Sequence, residues 1–139
     1  MAAFLHRFAD SQGNKAYQVG NAEKMEIEGV DMYSTVLELT GLPEGNYYVT
    51  AKGEFYSSEI MTEAHPRCVL MAGHEFDTAA PNVDPGQTVS WTVTALTYMG
   101  EDNSTMHLDC RDHGELVWLY NTRLTAISVN SIDIQPFTP

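Results

Sequence analysis

The chain has 139 residues, 19 acidic and 7 basic, for a formal charge of -12. That length suits one domain able to bury roughly two-thirds of the surface its unfolded form exposes, so a core requires neither a metal nor a disulfide. The charge makes nonspecific adhesion to nucleic acid or to an anionic membrane unfavourable in the long-range field.

The opening stretch, MAAFLHRFADSQGNKAYQ, has no apolar run long enough for a secretory signal, because His6, Arg7 and Asp10 interrupt it. No later segment reaches the roughly 20 apolar residues of a membrane-spanning helix. These features predict synthesis in the cytoplasm, no membrane partner and two reduced thiols, Cys68 and Cys110. Periodicity is weak over the first 24 residues, where Gly13, Asn14, Gly20 and Asn21 fall close together. Residues 1–24 are therefore expected to form an N-terminal arm or peripheral strand, before a β-sandwich domain at 25–135 and a short tail at 136–139.

From Met25 onward the pattern has period two. Met25 and Ile27 alternate with Glu26 and Glu28, and STVLELTGL is rich in β-branched residues. Pro43 and Gly45 punctuate a turn. Tyr47, Val49, Ala51, Gly53 and Phe55 then share the expected core face, with Tyr48, Thr50, Lys52, Glu54 and Tyr56 on the other. Gly53 in a strand implies a bulge or a close contact from the opposite sheet. Tyr48 and Tyr56 are either cross-strand partners or part of a subunit interface, as are Phe4 and Phe8 if the arm anchors a neighbour.

SSEIMTEAHP breaks the alternation and reads as a loop; RCVLMAG follows as a strand that Gly73 ends. In QTVSWTVTALTYM, Val89, Trp91, Val93 and Ala95 alternate with polar residues, after which the weight shifts to Leu96 and Tyr98, implying a bulge. TMHLDC alternates again, and ELVWLY and RLTAISVNSI complete the apolar segments. Eight or nine strands and no long helix predict an all-β sandwich or barrel; the preferred reading is a two-sheet antiparallel β-sandwich of jelly-roll topology, which periodicity does not separate from an immunoglobulin-like sandwich. Val49, Phe55, Trp91, Val93, Leu108 and Ile127 are its expected core.

Chemical motifs are sparse. No nucleophile-elbow sequence surrounds a serine, and neither a phosphate loop, a dinucleotide fingerprint nor a basic stripe is present, so no nucleic-acid partner is expected. Cys68, His107, Cys110 and His113 include zinc-type ligands, but strand alternation points His107 away from Cys110. Glu101, Asp102, Asp109, Asp112 and Glu115 read as solvated turn carboxylates. No catalytic residue, metal or cofactor is expected.

The order of LPEGNYYVTAKGEF, RCVLMAG, QTVSWTVTALTYM, STMHLDC and TRLTAISV resembles the C1q and tumour-necrosis-factor type of jelly roll, and small bacterial or phage β-sandwich surface domains. Pro43, Gly45, Tyr47 and Tyr48 stand where the C1q-like group has a turn followed by paired aromatics. The resemblance implies a compact module, commonly trimeric, that presents a face or loops to a partner; among homo-oligomers in general, dimers are commonest. The function it implies is that of a non-enzymatic virion structural protein, a phage capsid decoration or accessory protein bound to the shell. The alternative is a carbohydrate- or receptor-binding module using Asp112, Trp118 and Tyr120.

Overall fold

A computed structural model describes residues 15–27, 32–133 and 135, together with the backbone of residues 3–9. Among these it places ten strands: β1 (Ala3–Ala9), β2 (Lys15–Asn21), β3 (Met25–Glu26), β4 (Ser34–Leu39), β5 (Gly45–Ser57), β6 (Arg67–Ala72), β7 (Glu75–Ala79), β8 (Thr88–Met99), β9 (Met106–Arg111) and β10 (Val117–Val129). One sheet has the order β1-β2-β10-β5-β8, with β3 also paired to β10; the other has the order β4-β9-β6-β7. All pairings are antiparallel. From β3 to β10 the chain changes sheet at every step except the β6–β7 hairpin, the winding of a jelly-roll sandwich.

The alternating side chains meet between the sheets. Tyr47, Val49, Ala51 and Phe55 of β5, Trp91, Val93 and Met99 of β8, and Val117, Leu119, Leu124 and Ala126 of β10 are buried against Leu37, Leu39, Cys68, Leu70, Met106 and Leu108. At the hairpin of the smaller sheet, the Thr97 hydroxyl donates to the Ala72 carbonyl at 2.9 Å. Asp77 of β7 accepts from the Thr94 N–H of β8 at 3.0 Å, so a side chain satisfies part of a free strand edge.

Within residues 1–24, expected as an arm or peripheral strand, β2 pairs along β10 and β1 along β2, at one edge of the larger sheet. Other expectations change in three dimensions. The β5–β8 register runs unbroken from Gly45↔Met99 to Tyr56↔Thr88, so β8 has no bulge; Thr97 and Met99 turn inward while Leu96 and Tyr98 face out. The register shift lies instead in β10, between Tyr120 and Arg123, where Asn121 adopts a φ of 50°. It switches the inward set from Val117 and Leu119 to Thr122, Leu124 and Ala126, which leaves the expected core residue Ile127 on the outside.

The cysteines expected as reduced thiols form a disulfide. β6 and β9 are neighbours in the register that sets Cys68 directly opposite Cys110, with Cα atoms 4.1 Å apart and both side chains fully buried. Gly53 does receive a close contact, but from its own sheet. A Cβ there would lie 2.7 Å from Cζ2 of Trp91 and 2.9 Å from Cγ2 of Thr122. The absent side chain lets the indole lie across β5, stacked on Phe55 at 5.4 Å between centroids.

Candidate interaction surfaces

The outer face of the six-stranded sheet follows from its register, since directly opposed residues share a face. One row across it is Ala16, Ile127, Tyr48 and Leu96, from β2, β10, β5 and β8. Tyr48, Leu96 and Ile127 are 41%, 45% and 40% exposed, and the adjacent Tyr98 is 54% exposed. Next come Thr125, Thr50 and Thr94, then Arg123, Lys52 and Thr92. Lys52, Glu54, Ser90, Thr92 and Asn121 surround a depression of about 250 Å³ above Gly53.

Beyond the depression lies an aromatic end. Trp118 is opposite Tyr56 on β5 and Glu26 on β3, and Tyr120 is opposite Glu54. The Tyr56 and Tyr120 rings meet edge to face at 6.5 Å, and the Lys24 ammonium sits 4.1 Å from the Trp118 ring centroid. This cation–π contact covers part of the ring surface available for stacking.

A second surface sits on the loop after β5. Ile60 and Met61 are 88% and 89% exposed, beside a half-exposed Leu116. The loop is held at both ends: Ser58 N–H donates to the Leu116 carbonyl at 2.9 Å, Leu116 N–H to Glu59 Oε1 at 2.7 Å, and Ala64 exchanges two backbone hydrogen bonds with Val83. Glu115 accepts from His65 N–H at 3.0 Å and His113 N–H at 2.7 Å. The apolar tip therefore stands on a pinned base collared by Glu59, Glu63 and Glu115.

Of the residues singled out by sequence, Tyr48, Tyr56, Trp118 and Tyr120 share the outer sheet face. Phe4 and Phe8 lie in β1, paired with Gly20 and Ala16, and their side chains lie outside the described residues. Asp112 does not join Trp118 and Tyr120 on the exposed face. It is buried in the β9–β10 turn, where Oδ1 accepts from Gly114 N–H at 2.9 Å. Burial raises its carboxyl above the ordinary range; the Gly114 hydrogen bond and His113 oppose the shift, and the charges of Glu115 and Glu26 add to it. Among the described residues no group of three or more His, Cys, Asp or Glu side chains forms a metal cage.

Sequence reasoning missed Ile127, Leu96 and Tyr98 as surface residues because their facing depends on where the bulge falls. The Ile-Met pair inside a run of serine, threonine and glutamate was the visible signal for the loop tip.

No protein-family model and no curated protein matches the chain. Solved structures resemble it in fold. A chain in the structure of infectious bursal disease virus Gx strain matches with a TM-score of 0.55 and 9% identity, over 86% of this chain and 33% of that one. A chain of the T13 particle of the same virus matches at 0.53 and 9%, over 83% and 31%. Eiger TNF from S. frugiperda aligns at 0.49 and 10%, over 98% of both chains. The protein thus spans about a third of the length of the two viral chains, and at these identities the likeness is one of fold.

Proposed function

We propose that this is a non-enzymatic structural protein of a virion, a phage capsid decoration or accessory protein that attaches to the shell surface. The observation that carries the reading is the pinned loop presenting Ile60 and Met61 almost wholly to solvent. Exposing two large apolar side chains is costly for a free domain, and immobilising their base lowers the ordering cost of docking them into a partner. The acidic collar suits an apolar pocket with a cationic rim. The jelly-roll likeness to a chain of a virus particle is compatible with this role as a matter of fold.

The test is sedimentation of the purified chain with assembled phage shells. The expected result is co-sedimentation that weakens on raising salt and is lost in Ile60→Asp/Met61→Asp. Binding unaffected by that double variant would reject the loop as the attachment point, and no binding to shells would reject the role.

A second reading, a carbohydrate- or receptor-binding module, draws on the cluster of Trp118, Tyr120 and Tyr56. A sugar stacking there must displace Lys24 from the Trp118 ring, and buried Asp112 supplies no carboxylate to that face. Quenching of tryptophan fluorescence by a soluble glycan, lost in Trp118→Ala, would favour this reading over the first.

A further inference from the structure

The apolar row on the outer sheet face is separate from the loop tip and has its own electrostatic frame. From the row of Val129, Asn46 and Tyr98 to the row of Arg123, Lys52 and Thr92, the described outward side chains include no carboxylate, in a chain with 19 acidic residues. Glu44 borders one side of this zone, held there by accepting a hydrogen bond from the Tyr98 hydroxyl. Glu54 borders the other. Two copies carrying -12 each repel over most approaches. This zone brings apolar and cationic side chains to the front instead.

We infer that the face binds a second copy of this chain, through a two-fold axis lying along the Leu96–Tyr48–Ile127 row. The choice of axis follows from the spacing along β5. Lys52 lies four residues to one side of Tyr48 along β5, about 13 Å away at strand spacing, and Glu44 lies to the other side, in the turn just before Gly45 begins the strand. Rotation about the row keeps position across the sheet and reverses position along the strand. It sets Lys52 of one copy over Glu44 of the second, and by symmetry the reverse. Rotation about an axis parallel to β5 would instead bring the Lys52 and Arg123 row onto its own image, cation against cation.

Under the first rotation the apolar row packs on itself. The turn bearing Pro43 and Glu44 meets the depression beside Lys52, and the sheets stack face to face about 10 Å apart, within reach of Lys and Glu side chains. An isologous contact of this kind closes with two copies. It differs from the trimer implied by the sequence resemblance, and it does not depend on shell attachment, because its test contains no shells.

Sedimentation equilibrium of the full chain should give the mass of two copies. Leu96→Asp and Tyr48→Asp, both at exposed positions, should each give one copy with an unchanged circular-dichroism spectrum. Lys52→Glu and Glu44→Lys should each weaken the dimer roughly tenfold, since each reverses two symmetry-related pairs. Combined in one chain they should restore it, because the opposite charges face each other again. A wild-type monomer or trimer overturns the proposal. So does a dimer that survives Leu96→Asp, or a charge exchange that fails to restore association.

Discussion

β5, β8 and β10 of the larger sheet run for 13, 12 and 13 residues, whereas β4, β6, β7 and β9 of the smaller one run for 6, 6, 5 and 6. Long strands give each residue many cross-strand and inter-sheet neighbours, and the centre of the large sheet is fastened by packing, with Trp91 laid over Gly53 and against Phe55. The short strands carry a covalent tie, the buried Cys68–Cys110 bridge. Their outer faces differ as well. The small sheet turns out polar groups on its β4 and β9 strands, with His107 and Asp109 at 3.0 Å, Thr35 donating to Asp109 at 2.7 Å, and the Arg111 guanidinium 5.0 Å from the Tyr33 ring, and an exposed aromatic, Phe76, on its β7 edge opposite Met71. The large sheet turns out an apolar row. Among the described residues the apolar exposure of the small sheet is confined to Phe76 at its β7 edge, whereas that of the large sheet runs as a row across β10, β5 and β8, the broader surface for a neighbour.

The largest effect expected from this contrast is on the long-strand side. Trp91→Ala should cost about 3–5 kcal/mol in denaturant unfolding, because the indole fills the space that Gly53 leaves. A loss confined to a few tenths of a kcal/mol would show that packing at this point does not hold the sheet.

Cutting the covalent tie comes next. The bridged cysteines are 42 positions apart, and Cys68→Ser/Cys110→Ser, or reduction, should cost about 2–4 kcal/mol by releasing that loop in the unfolded chain. Equal unfolding midpoints with and without reductant, in a chain proven to be oxidised at the start, would remove the distinction between the sheets.

The smallest effect is at the turn that joins them. Asp112 has its folded pKa raised by burial, so its protonated form is favoured in the fold; that contribution is full below the unfolded pKa near about 4 and is lost as pH rises through the folded value. Asn keeps the acceptor for Gly114 N–H without the charge. Asp112→Asn should therefore match the wild type in Tm at about pH 4 and exceed it at about pH 7. A variant less stable than wild type at the higher pH would show that the charge, not its burial, dominates at this turn.

Much of the β5 and β8 pattern was readable in order, because alternation within one strand is a local property: Val49, Phe55, Trp91 and Val93 are buried where period two puts them, as is Leu108 in β9. Tyr48 and Tyr56 face outward for the same reason. What periodicity lacks is any record of which strands are neighbours. Cys68 and Cys110 sit in two well-formed strands, and only the pairing of β6 with β9 makes them opposite residues. β2 is weakly patterned by itself and becomes a strand by adding hydrogen bonds to β10.

The facing of Ile127 rests on one residue of register, set by the positive φ of Asn121 six positions earlier. Composition and alternation by themselves determined that this chain is an acidic all-β sandwich with its core between two sheets. The tertiary structure decided the disulfide, the edge hairpin and the apolar row, because each joins residues distant in sequence, and their energies are paid or gained only once the strands lie side by side.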